Sequence, residues 1–205
     1  MRDPIPELAA RVRALRSKGR RALVAIAGPP ASGKSTLAVE LAAALGPGAL
    51  AVPMDGFHLD DSVLKVRGLR DRKGSPPSFD AIGFVHAMRR LAQEPEVVLP
   101  VFDRSREISI AGALAVGPDC EIAVVEGNYL CFDAAPWRDL MTLWDLSVFI
   151  DTPEAVLRER LVVRWQTHGR ADAAEWIETN DLPNIRLVQT NRLPVDLSLP
   201  EQQTP

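Results

Sequence analysis

The stretch Gly28-Pro-Pro-Ala-Ser-Gly-Lys-Ser35 constrains the fold of this chain more than any other feature. It follows the pattern G-x-x-x-x-G-K-[ST], the phosphate-binding loop known as Walker A. An apolar run of strand length, residues 22–27, precedes it, and apolar residues at helical spacing follow it as far as Gly46-Pro47. A strand, a glycine loop and a helix N-terminus form a concave set of backbone N–H donors that holds phosphate. The sequence therefore predicts a nucleotide site here, and the alternative is a glycine turn with a surface lysine.

The side chains of this loop have separate predicted roles. Lys34 is expected to reach the β- and γ-phosphates as a point charge, and Ser35 to place its hydroxyl on Mg²⁺. The other residues expected to bind the nucleotide from the loop and the first helical turn are Gly28, Ala31, Ser32, Gly33 and Thr36.

Size and composition favour a single globular domain over residues 1–205. The net charge of −3 carries no electrostatic footprint for nucleic acid, and the apolar runs are too short to span a membrane. The first residues lack the apolar core of a signal peptide, and the two cysteines lack metal-ligand spacing. We therefore expect a cytoplasmic protein with neither nucleic acid nor membrane as a partner.

Five apolar runs alternate with helical patterns, as in an α/β fold with a parallel sheet buried on both faces. The expected architecture is a three-layer P-loop NTPase fold, in which a five-stranded parallel sheet is flanked by helices. The predicted strands are Leu23–Ala27, Ala49–Pro53, Val97–Val101, Ile122–Glu126 and Leu146–Ile150.

Two long connections, residues 55–79 and about 103–119, are expected at the ligand-binding end of this sheet. Within the second, segments 108–110 and 113–116 are predicted to pair as a small hairpin over the site. The polar tail, residues 199–205, is expected to be frayed.

Carboxylates follow two of the predicted strands. Asp55 follows the second strand, where a carboxylate can accept the proton of an attacking hydroxyl, although an Asp-Gly turn explains the same residues. Glu126 ends the fourth strand and is suited to holding Mg²⁺, the alternative being an ion pair with a basic neighbour.

Arginines concentrate on the helix that follows the fifth strand. Arg160 and Arg164 share a face of it by their i, i+4 spacing. A flap bearing arginines can close on ATP and neutralise charge on the transferring phosphoryl group. We therefore expect an arginine-bearing lid at roughly residues 153–180, with Arg160 and Arg164 on the nucleotide and Arg164 also in catalysis; a solvated basic face is the alternative.

The order of these motifs resembles the phosphoribulokinase/uridine kinase family of P-loop kinases. The resemblance covers residues 22–191 and includes Met54-Asp-Gly-Phe57, Lys73-Gly-Ser-Pro-Pro-Ser-Phe-Asp80, Pro100-Val-Phe-Asp103 and Val125-Glu-Gly127. Within the family, the chain is similar to bacterial pantothenate kinases and, in its lid and in the segment 180–191, to the compact group labelled fructose transport system kinases. It departs from uridine kinases, which carry Asp-Ser-Phe-Tyr where this chain has Asp55-Gly-Phe-His58.

The resemblance implies transfer of the γ-phosphate of ATP, with Mg²⁺, to a hydroxyl of a small metabolite. Asp55 is then the catalytic base, with Lys34 and Ser35 on phosphate and metal. Phe79, Phe102, Asp103 and Arg104 would lie where family members meet the acceptor. His58 and Tyr129 are plausible acceptor contacts by position, with packing or structural hydrogen bonds as the alternative.

The leading hypothesis is an ATP-dependent kinase with a sugar as the first candidate acceptor, and a homodimer is a possible assembly. A pantothenate or nucleoside kinase is the alternative within the same class. A nucleotide-gated regulator or an inactive kinase-like sensor belongs to another class. The chain has no Asn-Lys-x-Asp segment for reading guanine and no Leu-Ser-Gly-Gly signature of transport ATPases.

Overall fold

The computed structural model describes residues 3–15 and 20–201 of the chain. The helices are α1 (Ile5–Arg13), α2 (Lys34–Leu45), α3 (Asp61–Val66), α4 (Ala81–Gln93), α5 (Glu154–Thr167), α6 (Ala173–Trp176) and α7 (Leu182–Thr190). The strands are β1 (Ala22–Ala27), β2 (Ala49–Pro53), β3 (Val97–Asp103), β4 (Ile108–Val116), β5 (Ile122–Gly127), β6 (Leu146–Asp151) and β7 (Leu197–Pro200). None of the helices in these ranges combines the length and apolar character needed to cross a membrane.

Five strands form one parallel sheet in the order β2-β5-β1-β6-β7. The predicted α/β class and the five-stranded parallel sheet are therefore confirmed. Because β1 lies between β5 and β6, the phosphate loop that follows Ala27 emerges beside Gly127 and Phe149. The neighbouring pair Pro53 and Glu126 brings the ends of β2 and β5 to the same edge.

Alternate residues of β1 enter two different cores, as a strand buried on both faces requires. Val24 and Ile26 pack with α1 and α2, whereas Leu23, Ala25 and Ala27 pack on the other face with α4. The sheet thus forms the middle of three layers.

The third predicted strand is not part of this sheet. Val97–Asp103 (β3) pairs instead with β4 as a separate antiparallel hairpin. Val97 and Leu99 are buried while Val98 is 47% exposed, an alternation that belongs to a strand covered on one face only. The prediction mistook a short apolar run for a strand buried on both faces, although Pro100 within it has no N–H for a central ladder.

Two further expectations about connections were also wrong. Segments 108–110 and 113–116 do not pair with each other, because both belong to the single strand β4, whose partner is β3. Leu199 and Pro200 are not frayed, because β7 pairs in parallel with β6 and completes the sheet. The last four residues of the predicted tail, 202–205, lie outside the described residues.

A buried arginine ties the opposite end of the sheet together. Arg21, only 8% exposed, donates hydrogen bonds to the carbonyl oxygens of Leu91 at 2.5 Å, Gly117 at 2.9 Å and Cys120 at 2.8 Å. It also donates to the carbonyls of Glu94 and Pro95. One guanidinium thereby holds the end of α4, the end of the hairpin and the approach to β5.

Replacing Arg21 should therefore cost stability. In Arg21→Met these carbonyls lose their donor, and we expect the free energy of unfolding to fall by about 3 kcal/mol or more. Urea unfolding followed by circular dichroism measures this loss. Arg90→Gln is the control, because the Arg90–Glu94 pair is exposed on α4 and such pairs contribute about 0–1 kcal/mol. Equal losses in the two variants would contradict the role assigned to Arg21.

Candidate active site

Two cavities meet at the carboxyl edge of the sheet. The first, which we call the loop cavity, measures about 690 Å³ and lies against residues 31–36 and α5. The second, the central cavity, measures about 400 Å³ and lies between the segment 55–74, the hairpin and the region 164–184. Lys34, Arg104 and Arg164 line both cavities, so positive charge concentrates where they join.

The phosphate loop has the backbone geometry that its sequence predicts. Gly33 precedes α2 at φ 91°, a left-handed conformation that glycine adopts without strain, and Ala31 has φ 63°. No side chain caps the N-terminus of α2 and no acidic residue lies in its first turn. The first N–H groups of the helix are thereby left to an anion, the role that this motif has in nucleotide sites.

Not every residue of the motif faces the loop cavity. Ala31, Gly33, Lys34, Ser35 and Thr36 line it. Gly28 and Ser32 are buried and line neither cavity, so their contacts with the nucleotide stay predictions.

Lys34 has the surroundings of a ligand-binding ammonium. Its Nζ lies 3.4 Å from the carbonyl oxygen of Pro29, which is long for a charge-assisted hydrogen bond. Burial lowers the pKa of Lys34, against the opposing charges of Glu126 and Asp55. An ammonium with three donors and one long hydrogen bond suits an incoming phosphate.

Glu126 and Ser35 lie close to this lysine. The Glu126 carboxylate is 6% exposed, and the neighbouring Ser35 side chain acts to lower its pKa. Burial raises the pKa of Glu126, although the charge of Lys34 opposes that shift. A hydroxyl and one carboxylate are oxygen ligands suited to Mg²⁺, which usually keeps waters and substrate phosphates as its other ligands. In the described ranges no cluster of three or more His, Cys, Asp or Glu residues could hold a metal by itself.

Asp55 lies in a short 3-10 helix, Met54–Phe57, that directly follows β2. A Cβ on Gly56 would lie 2.2 Å from the carbonyl oxygen of Pro100, so only glycine permits this helix to pack against the hairpin. That contact brings Arg104 of the hairpin into an ion pair with Asp55. Burial pushes the pKa of Asp55 upward. The charges of His58, which is protonated only in the acidic range where Asp55 titrates, and of Arg104 and Lys34 outweigh burial and hold the pKa below its usual value.

His58 lines the central cavity beside Asp55. Its Nδ1 lies 2.8 Å from the carbonyl oxygen of Asp55, so Nδ1 carries the proton of the neutral ring and Nε2 is left as an acceptor. Burial lowers the pKa of His58, which keeps the ring neutral at pH 7. The ring of Phe102, which also lines this cavity, lies 4.8 Å away between centroids.

Three residues predicted to contact the acceptor do not line the central cavity, so those contacts stay predictions. Phe79, only 4% exposed, packs in the core against Tyr129 and Trp137. Tyr129 is fully buried and donates its hydroxyl to the Gly74 carbonyl at 2.6 Å. The Asp103 carboxylate accepts hydrogen bonds from Ser105 and Arg106 and so shapes the turn that carries Arg104.

The two predicted lid arginines occupy different positions on α5. Arg160 lines the loop cavity but not the central cavity, and it donates a hydrogen bond to the Ala31 carbonyl oxygen at 3.3 Å. Arg164 lines both cavities, and its guanidinium carbon lies 5.5 Å from the centroid of the Trp165 ring. The two buried leucines of α5, Leu157 and Leu161, form a small separate core with α7.

Sequence reasoning missed several side chains that line the central cavity. They include Arg70, Lys73, Asn128, Trp165, Arg170, Trp176 and Asp181. Trp165 Nε1 donates to Asp181 Oδ2 at 2.6 Å, and burial raises the pKa of Asp181 to about 6. Asp181 ends a π-helical turn, Ile177–Asp181, a conformation often found at functional sites. The tryptophans of the arginine-rich segment, Trp165 and Trp176, were the one sequence feature that could have indicated this part of the site. Their positions in the sequence, however, fit a packing role equally well.

No family model matches the chain, but individual proteins do. An uncharacterized protein of Escherichia coli, YggC, is 36% identical over 179 residues, which cover 84% of this chain and 74% of that protein. A protein of Schizosaccharomyces pombe provisionally named as a uridine kinase is 32% identical, covering 88% of this chain and 83% of its own length. The pantothenate kinase of Myxococcus xanthus is 34% identical, and the match spans 58% of its length.

The solved structures agree with these relatives. A protein of Silicibacter sp. TM1040, provisionally described as a fructose transport system kinase, is 47% identical and superposes with a TM-score of 0.91, covering 96% of this chain and 98% of that one. Phosphoribulokinase from Rhodobacter spheroides shares the fold at 12% identity, with a TM-score of 0.54 over 82% of this chain and 62% of its own. With its phosphate loop, its sheet order and these relatives, the chain belongs to the phosphoribulokinase/uridine kinase family of P-loop kinases.

Proposed function

We propose that this protein is an ATP-dependent kinase that transfers the γ-phosphate to a hydroxyl of a small metabolite, with a sugar as the first candidate. The observation that carries the proposal is the junction of the two cavities at Lys34, Arg104 and Arg164. A triphosphate in the loop cavity would end where the central cavity begins, beside Asp55. Positioning and charge neutralisation at such a junction account for most of the catalysis of phosphoryl transfer.

Asp55 would hold the acceptor oxygen in line with the phosphate. Its lowered pKa makes it a weak base in the ground state. That is adequate for a loose transition state, in which the hydroxyl proton need not leave before the phosphoryl group moves. Arg104, which pairs with Asp55 and also lines the loop cavity, can exchange this carboxylate for a phosphate oxygen and so release Asp55 to the hydroxyl.

The residues near the phosphate loop fit a divalent metal. Ser35 and Glu126 would hold Mg²⁺ with its water shell, and the bound ion supplies neutralisation of phosphate charge. Lys34 and Arg164 contribute fixed positive charge on the two sides of the same junction.

Asp55→Asn tests the proposed chemistry. Turnover should fall by roughly 10²-fold or more, the scale of general acid–base catalysis, whereas the affinity for AMP-PNP should stay the same. The wild type is first assayed for ADP release across sugars, polyols, pantothenate and uridine, and the product of any hit is identified as a phosphomonoester by ³¹P NMR. Asp71→Asn, an exposed carboxylate on the same connecting segment, is the matched control.

Two outcomes would contradict parts of this proposal. Full turnover in Asp55→Asn would remove Asp55 from the mechanism. A wild type that binds AMP-PNP in calorimetry but phosphorylates nothing across the panel would favour a nucleotide-gated regulator or an inactive sensor.

Substitutions of two arginines of α5 should affect different steps, one mainly catalysis and the other mainly nucleotide binding. Arg164→Gln should lower kcat by about 10²-fold, because Arg164 lies where the transferring group would pass. Arg160→Gln should mainly weaken nucleotide binding, by about tenfold, because Arg160 lines only the loop cavity. Steady-state kinetics with ATP and fluorescence titration with a labelled nucleotide measure the two effects. The same pattern in both variants would contradict this division.

A further inference from the structure

Three cations line the central cavity without lining the loop cavity, and each already has a carboxylate partner. Arg70 Nε lies 2.6 Å from Asp61 Oδ2, and Lys73 Nζ lies 2.8 Å from Asp61 Oδ1 and 3.0 Å from Glu107 Oε2. Arg170 Nε lies 2.9 Å from Asp172 Oδ1. An anionic group on the acceptor would compete with these carboxylates for the same cations.

Asp181 differs from those carboxylates. It is 7% exposed, lines the same cavity, and has an indole N–H, that of Trp165, as its hydrogen-bond donor. The charges of Arg164 and Arg170 act to lower its pKa, but within the described part of the chain neither arginine forms an ion pair with it. A buried carboxylate in this setting accepts hydrogen bonds from hydroxyl groups and repels an anion.

Aromatic rings complete this part of the wall. Trp165, Trp176 and Phe102 line the cavity, and the Arg170 guanidinium lies 3.7 Å from the centroid of Trp176. These rings supply apolar surface for C–H groups, whereas Asp181 and the neutral His58 supply acceptors for O–H groups. Carbon-bound hydrogens beside hydroxyls are the chemistry of a polyol or of a sugar ring.

We propose that the acceptor of this kinase is an uncharged polyhydroxyl compound, held by hydroxyl hydrogen bonds to Asp181 and by apolar contact with Trp165. This inference rests on the proposed function, because it concerns the acceptor of that reaction. The cations at the junction, Lys34, Arg104 and Arg164, are left for the phosphates of the nucleotide. A free sugar, a polyol and the ribose of a nucleoside share this chemistry.

Matched pairs of one uncharged and one anionic compound test the inference. The pairs are D-fructose with D-fructose 6-phosphate, glycerol with D-glycerate, and pantothenol with pantothenate, with uridine as the nucleoside arm. Thermal unfolding is measured with Mg-AMP-PNP present. We expect at least one uncharged compound to raise Tm by roughly 2 °C or more at saturation, and its charged partner to raise it less. Binding of the charged partner in preference, or of no uncharged compound, would overturn the inference.

Two variants then assign the recognition to its residues. Asp181→Asn keeps an oxygen for Trp165 Nε1 but removes the carboxylate, and we expect the dissociation constant of the best uncharged probe to rise about tenfold. Trp165→Phe keeps a ring and should weaken the same probe. In both variants the dissociation constant of AMP-PNP should stay within about twofold of the wild-type value. A folding defect would weaken nucleotide binding as well, so this measurement separates the two explanations. Glu175→Gln, exposed on α6, is the matched control. Unchanged probe affinity in Asp181→Asn would overturn the assignment.

The two proposals fail in distinguishable ways. An uncharged probe that binds through Asp181 but yields no phosphomonoester would remove the kinase activity and leave the recognition chemistry intact. A phosphorylated product formed from an anionic acceptor would keep the kinase activity and remove the inference about the acceptor.

Discussion

The parallel register of three adjacent strands is the constraint on which the rest of this structure depends. Because β1, β5 and β2 run in the same direction with Ala27 beside Gly127 and Pro53 beside Glu126, their chain continuations leave the sheet at one edge. A lysine and two carboxylates are thereby gathered within reach of each other's charge, as the mutual pKa effects of Lys34, Asp55 and Glu126 show. Opposite charges at this density need a polar ligand or each other, because the strands beneath them are apolar and buried.

The β3–β4 hairpin forms one side of the central cavity at the carboxyl edge of the sheet. A strand buried on both faces at Val97–Asp103 would have placed the following turn in line with the other loops. As half of a one-faced hairpin, it instead packs on the 3-10 helix at Gly56 and carries Arg104 over Asp55. The ion pair, the contact between the tilted rings of His58 and Phe102 and the division into two cavities all follow from this packing.

The region after β6 contributes both charged and aromatic side chains to the two cavities. The buried leucines of α5 pack with α7 in a core of their own, so the polar face of α5 is left toward the cavities. Arg164 lies at the junction of the two cavities. The next residue, Trp165, lines the central cavity and donates a hydrogen bond to Asp181, which lines the same cavity. The residues that we propose to face the phosphates and those that we propose to face the acceptor thus follow one another along one short stretch of chain.

Local sequence patterns were sufficient to predict the phosphate loop and the positions of two carboxylates. The glycine loop, the strand before it and the helix after it predicted the phosphate site, because that geometry is encoded in consecutive residues. The positions of Asp55 and Glu126 followed from the ends of apolar runs, because parallel strands share an edge.

Other features depended on contacts between distant segments. Phe79, Tyr129 and Asp103 carry the chemistry of ligand contacts, yet packing turned the first two into the core and local hydrogen bonds occupied the third. Asp181 and Trp165 face the cavity only because α5 and the π-helical turn pack side by side. The sequence by itself determined the phosphate loop and the class of fold, because both follow from near neighbours and hydrophobic period. Tertiary structure alone decided which side chains line the cavities, because that depends on which faces of separate elements are left uncovered.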